Sequence, residues 1–150
     1  DGATLTVADV NESAIENLTD LLFSTSDISS AHTVKCDYFS PCALGNVLNA
    51  ETRDNLHCSA IVGAANNQLD NEETDRWLFE NDIVYAPDYL VNSGGVIAIA
   101  AEIEGSVDNI DEGLDEIANK TFEVIHTSKE RGVSTDKVSK ELAWERINNG

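Results

Sequence analysis

The chain of 150 residues carries 28 acidic against 9 basic side chains, a formal net charge of −19 and a pI near 4.1. That length suits one domain with a real core, and a hydrophobic content of 41% excludes a disordered acidic tail. No apolar run reaches the ~18 residues of a membrane helix, and this charge repels a phosphate backbone, so neither membrane nor nucleic acid is an expected partner.

Thr4–Ala8 reads as a buried strand that runs straight into Asp9. Asn11 or Ser13 then caps a helix whose apolar face is Ile15, Leu18 and Leu22. Thr33–Cys36 is a second strand, Pro41 ends an extended stretch, and Ala43–Ala50 reads as a short helix. Ser59–Val62 is a third strand, closed by Gly63. Asp70 and Glu73 have capping-box spacing ahead of Trp77 and Leu78. Ile83–Tyr85 is a fourth strand, followed by a loop over Ala86–Asn92. The small apolar run from Ser93 predicts a buried helix. In the last third, about 107–147, Ile110, Leu114, Ile117, Ala118, Thr121, Phe122 and Ile125 repeat at helical spacing. Gly132 stops that helix, and Ser134 or Thr135 caps another bearing Val138, Leu142 and Ile147. Short apolar strands alternating with helices predict an α/β fold with a mostly parallel sheet, followed by C-terminal helices.

The charge is not gathered at one end: residues 1–75 hold 13 acids and 2 bases, and residues 76–150 hold 15 and 7. Two readings stand. One is adaptation to a salt-accumulating cytoplasm, where screening shortens to a few ångströms; the other is an ordinary acidic domain. After Asp1 there is no basic and apolar leader, and Cys36, Cys42 and Cys58 form no CxxC, so free thiols in a reducing cytoplasm are expected. His32, His57 and His126 are isolated, and no metal site is expected.

Ligands of open α/β sheets bind outside the carboxyl ends of the strands. Asp9 ends the first strand there, Asp37 follows the second, Gly63–Gln68 follows the third and Pro87–Gly95 the fourth. An acid at a strand end accepts hydrogen bonds from ribose hydroxyls and repels a 2′-phosphate, favouring NAD over NADP; it can equally be a solvated acid near a helix. Asn66 and Asn67 offer donors and acceptors suited to ribose hydroxyls or a carboxamide, and also suit a turn. Gly94-Gly95 allows close backbone approach or tight helix packing. Cys42 has no base near it in sequence and reads as a buried structural thiol.

In combination these residues are more specific. Cys36-Asp-Tyr-Phe-Ser-Pro-Cys-Ala-Leu-Gly45, Gly63-Ala-Ala-Asn-Asn-Gln-Leu69 and Tyr85-Ala-Pro-Asp-Tyr-Leu-Val-Asn-Ser-Gly-Gly95 match, in order and spacing, motifs of the Glu/Leu/Phe/Val dehydrogenase family. Asn66-Asn-Gln-Leu69 is similar to the leucine, valine and phenylalanine branch, and the likeness extends to Leu142-Ala-Trp-Glu-Arg-Ile147. The resemblance implies a Rossmann-like, three-layer αβα domain over residues 1–150 that binds NAD, within an enzyme that oxidatively deaminates an L-amino acid to a 2-oxo acid. It implies that Asp9 holds the adenosine ribose and that Cys36 and Asp37 lie beside the adenine. Pro41, Cys42 and Ala43 would line the cofactor groove, Ala65 and Asn66 would contact the nicotinamide side, and Asn92 would bond the carboxamide and help place substrate. A substrate side-chain pocket would draw on Thr121 and Val124; Thr121 departs from the aliphatic type expected for leucine.

The sequence contains no GxGxxG and starts at what resembles the second strand of such a domain. The resemblance therefore implies a partial domain, lacking the first strand, the glycine-rich loop and the lysine-bearing substrate domain. It places no catalytic residue in this chain, which by itself is expected to be inactive. The alternatives are a stand-alone nucleotide-binding module and an assembly module without catalysis. Without a central strand, the flanking strands either pair directly or leave a gap, which another copy of the chain could fill by strand addition or swapping into a homo-oligomer.

Overall fold

The computed structural model describes residues 2–18, 23–105 and 110–149. Along them run β1 (Leu5–Val7), α1 (Glu12–Glu16), β2 (Phe23–Thr25), β3 (Tyr38–Phe39), β4 (Ala60–Ile61), α2 (Glu72–Glu80), β5 (Val84–Tyr85), α3 (Asp88–Val91), α4 (Gly94–Glu104), α5 (Ile110–Arg131) and α6 (Thr135–Asn149). The fold is mixed α/β, and every strand pair is parallel. β1 pairs with β2, with Leu5 opposite Phe23. β3, β4 and β5 form a second sheet in that order, with Tyr38, Ala60 and Val84 in one row and Phe39, Ile61 and Tyr85 in the next. A parallel pair needs a crossover; α1 lies between β1 and β2, and α2 between β4 and β5. Leu48, Leu56, Ile61, Leu78, Ile83 and Tyr85 make the buried core, with Phe39, Leu69 and Trp77 packed against it.

Several expectations are corrected. The first strand sits where expected but is not buried: among the described residues β1 has only β2 beside it, and Leu5 stays exposed. A strand at Phe23–Thr25 was not foreseen. Thr33–Cys36 is not a strand, because Ala31–Thr33 closes a 3-10 turn with the Thr33 hydroxyl on the Ser30 carbonyl. The strand comes later, at Tyr38–Phe39, so Asp37 precedes it rather than follows it. Ala43–Ala50 is not helical. Its amides are taken across space, Asn46 N donating to Asn67 O at 2.6 Å and Leu48 N to Gln68 O at 3.0 Å, and Asn46 is left-handed with φ 58°. Asn71, not Asp70, caps α2, accepting from the Glu73 and Thr74 amides, while Glu73 pairs with Arg53 at 2.8 Å. The expected loop over Ala86–Asn92 contains α3.

Asn11 caps α1, and Ile15 and Leu18 are half-buried; Leu22 lies outside the described residues. α4 is helical as expected but not buried: Val96, Ile99 and Ile103 are exposed. A helix apolar all round needs neighbours all round, and α5 covers one side, where Gly94 meets Leu114 and Gly113 meets Ile97. The inward face of α5 is only partly the expected one: Ile110 and Ile125 are half-buried, while Leu114 and Ala118 are exposed. Ile117, Thr121, Val124 and Ser128 point in, and Phe122 is 72% exposed. Gly132, at φ 64°, ends α5. Ser134 is the cap of α6, accepting from Lys137 N at 3.3 Å; Val138 is buried and Leu142 half-buried, but Ile147 is exposed. The expected helical segment begins within residues 107–109, which lie outside the described residues.

Candidate functional site

Because β3, β4 and β5 are parallel, their carboxyl ends open on one edge, and the loops that leave them meet there. After β3 comes Pro41, buried, whose carbonyl accepts from Ala65 N at 2.9 Å. Gly63 leaves β4 so close to it that a Cβ would sit 2.1 Å from the Pro41 carbonyl oxygen, so only glycine fits. Ala65 is buried, Asn66 is exposed, and Asn67 is left-handed with φ 53°. Gln68 is fully buried and holds the loop from inside, its Nε2 donating to Gly63 O and Ala65 O, both at 2.8 Å.

Asn92, at the end of α3, reaches across to this loop. Its Nδ2 donates to Ala64 O at 2.8 Å and Ala65 O at 3.2 Å, with Asn66 Oδ1 at 3.5 Å. Among the described residues nothing donates to Asn92 Oδ1, which leaves it as an acceptor for a ligand N–H. Asp88 is buried between the loops, Oδ2 accepting from Asn67 N at 2.8 Å and Oδ1 from the Tyr85 hydroxyl at 2.6 Å. Burial, with the carboxylate beside it, pushes the Tyr85 hydroxyl far up, so it stays protonated and donates.

The structure thus joins Pro41, Ala65, Asn66 and Asn92 in one hydrogen-bonded group. The remaining expected site residues make no hydrogen bond to that group among the described residues. Asp9 is exposed and accepts from Asn11 N at 2.8 Å. Asp37 is exposed, and its carbonyl accepts from the Ser59 and Ala60 amides. Cys36 is half-buried, its thiol pushed up by burial and by Asp37; burial pushes Cys58 up to about 11, so both stay thiols near neutral pH. Cys42 is exposed, not buried as expected, with Sγ 3.4 Å from Ser40 Oγ; it is the buried Pro41 before it that packs inward. Ala43 is exposed. Thr121 is half-buried and gives its hydroxyl to Ile117 O at 2.7 Å, and Val124 is buried.

A groove of about 510 Å3 between α2 and α6, and a smaller one of about 250 Å3 beside β5, contain none of the expected site residues. Among the described residues no group of three or more metal-ligating side chains gathers, and no helix is long and apolar enough to cross a membrane.

The family model described as Glutamate/Leucine/Phenylalanine/Valine dehydrogenase matches residues 3–149. The chain belongs to that family. A leucine dehydrogenase of Thermoactinomyces intermedius is 37% identical over 149 aligned residues, which are 98% of this chain and 41% of the relative. A phenylalanine dehydrogenase of the same organism is 35% identical over 150, 97% of this chain and 41% of the relative. The crystal structure of L-tryptophan dehydrogenase from Nostoc punctiforme is similar with a TM-score of 0.88 and 34% identity, over 97% of this chain and 44% of that one. The chain thus spans about two fifths of the length of the curated relatives it matches.

Within the family motifs, sequence reasoning passed over Gln68 and Asp88. Both lie inside the quoted stretches, but each looks like one more solvated polar residue. The available signal was position: each borders an apolar strand or core residue, where a polar side chain is buried only with partners.

Proposed function

We propose that this chain is the part of an NAD-dependent amino-acid dehydrogenase that orients the nicotinamide, in the reversible oxidative deamination of an L-amino acid to a 2-oxo acid and ammonium. The observation that carries this reading is the convergence of Asn92 with the Ala64–Asn66 loop at the carboxyl ends of β4 and β5. Asn92 Oδ1 is open to a carboxamide N–H, while its Nδ2 is fixed by two backbone carbonyls. Bound NAD supplies the hydride acceptor. The residues of the chain hold the nicotinamide face against substrate, since hydride transfer needs the two carbons near van der Waals contact. In this reading Asn66 lies beside that acceptor, Pro41, Cys42 and Ala43 would border the bound cofactor, Cys36 and Asp37 would flank the adenine, and Asp9 would take the ribose.

The fit is partial. The residues for the nicotinamide end are present, but Asp9 stands at the start of α1, where it opposes a pyrophosphate rather than cradling it. We read the two sheets as a Rossmann-like sheet of order 3-2-1-4-5-6 without its first strand: β2-β1 on one side, β3-β4-β5 on the other. The segment that supplies that strand, the glycine-rich loop and the substrate-binding lysines belongs to the remaining three fifths seen in the relatives. The free edges of β1 and β3 are where it, or a second copy of the chain, pairs. The whole enzyme works in the cytoplasm. Its substrate carries an apolar side chain: the hydroxyl of Thr121 is already given to Ile117, which leaves apolar groups there and at Val124.

Titration calorimetry of the isolated chain with NADH in ~2 M KCl should show no binding at micromolar concentration, and the pure chain should show no leucine-dependent reduction of NAD. A micromolar Kd or measurable turnover would contradict the partial-site reading.

A further inference from the structure

We propose that Asp88 is a positioning residue: its buried carboxylate fixes the 64–67 loop against the end of β5, and so sets where Asn66 and Asn92 meet the nicotinamide. The ligand in this inference rests on the function proposed above; the loop geometry does not.

The Asp88 carboxylate is 8% exposed and both of its oxygens are used. Oδ1 takes the Tyr85 hydroxyl at 2.6 Å, and Tyr85, the last residue of β5, is itself buried in the core. Oδ2 takes Asn67 N at 2.8 Å, twenty-one residues away in sequence. Neither partner carries a positive charge, so the buried carboxylate is balanced by hydrogen bonds alone, an arrangement that is costly unless the partners are held in place and that in turn fixes their positions. What it holds is a strained peptide. Asn67 is in the left-handed region, which asparagine tolerates better than most residues.

The carbonyl side of the same residue is held as well, accepting from Asn46 N at 2.6 Å. Gly45 lies so close that a Cβ there would be 2.7 Å from Asn66 O. Immediately upstream, the Ala64 and Ala65 carbonyls receive Asn92 Nδ2. Asp88 begins the helix that Asn92 ends. One carboxylate therefore ties together both pieces of backbone that carry the two amide side chains. Without it, the Asn67 amide loses its hydrogen bond, and the turn is held only through its carbonyl and through the Gln68 and Asn92 bonds upstream.

The test is NMR hydrogen exchange on the isotope-labelled chain with Asp88→Leu, which keeps the approximate shape and removes both acceptor oxygens. Exchange at the Asn67 amide should rise at least about tenfold, the weaker end of what a hydrogen bond to a charged acceptor contributes. The Ile61 and Leu78 amides in the core should keep their rates. An unchanged Asn67 rate overturns the assignment, and so does a rise shared equally by Ile61 and Leu78, which would make Asp88 a general stabiliser. If the variant does not fold, a long-range HNCO spectrum of the unsubstituted chain decides. A cross-peak from Asn67 N to the Asp88 carboxyl carbon is expected; its absence, where Glu73 N shows one to the Asn71 side chain that caps it at 2.8 Å, overturns the proposal. No nicotinamide enters either readout, so this test can succeed where the cofactor reading fails.

Discussion

At Asn92, Nδ2 fixed on two carbonyls holds the amide plane in one orientation and leaves one oxygen without a protein donor among the described residues, the arrangement on which the proposed carboxamide contact rests. A different buried polar group, Asp75, sits between α2 and α6. It accepts from the Ser134 hydroxyl, but burial dominates and holds its carboxyl above the ordinary value, with Asp136 and Glu72 adding to the shift and Lys140 opposing it. A carboxyl whose pKa is raised in the fold binds its proton more tightly there than in the unfolded chain. Its ionisation therefore costs stability above the folded pKa, and that stability returns as the pH falls through the folded pKa towards the ordinary range, about 4. Asp75→Asn should raise the Tm at pH 7 by about 3 °C, and the gain over the parent should fade near pH 4. Thermal melts at the two pH values check this; a lower Tm for the variant at pH 7 would show that the ionised carboxylate is needed.

Among the elements, what could be read in advance was whatever depends on local pattern. β4, β5, α2 and the two C-terminal helices lie within a residue or two of their expected places, because apolar runs, caps and Gly132 are local signals. The pieces that were missed depend on partners far along the chain. Ala43–Ala50 has helical composition, but its amides go to Asn67 and Gln68, and a backbone already bonded across space cannot also coil. Of the expected α5 face, Ile110, Ile117, Thr121 and Ile125 turn inward while Leu114, Ala118 and Phe122 stay exposed, and tertiary packing adds Val124 and Ser128. The site was legible as a set of loops at strand ends, and the motifs named Pro41, Ala65, Asn66 and Asn92. What no pattern displayed was the clamp beneath them, since Gln68 and Asp88 act through hydrogen bonds to backbone that only the fold brings near.

At the scale of the whole molecule, the charge of −19 acts on folding through like-charge repulsion. Of the six ion pairs among the described residues, several join exposed side chains, and such pairs contribute little. Like-charge repulsion is then relieved mainly by screening, whose range falls to about 3 Å at 1 M salt. The Tm should rise by roughly 5 °C or more between ~0.1 and ~3 M KCl; a Tm independent of salt would remove salt adaptation as the meaning of the acidity.

The length first suggests a self-sufficient domain. Set beside relatives more than twice as long, it spans about two fifths of their length, and the function proposed above makes it the cofactor-orienting part of a larger enzyme. The most direct test of that account is to express the longest reading frame that contains this sequence. NAD reduction is then measured with L-leucine, L-phenylalanine and L-valine, for the parent and for Asn92→Ala. The account predicts reduction that depends on the amino acid and falls about 100-fold when Asn92 is truncated, the size of loss that misplaced reacting groups produce. No amino-acid-dependent reduction, or full activity in Asn92→Ala, would contradict it.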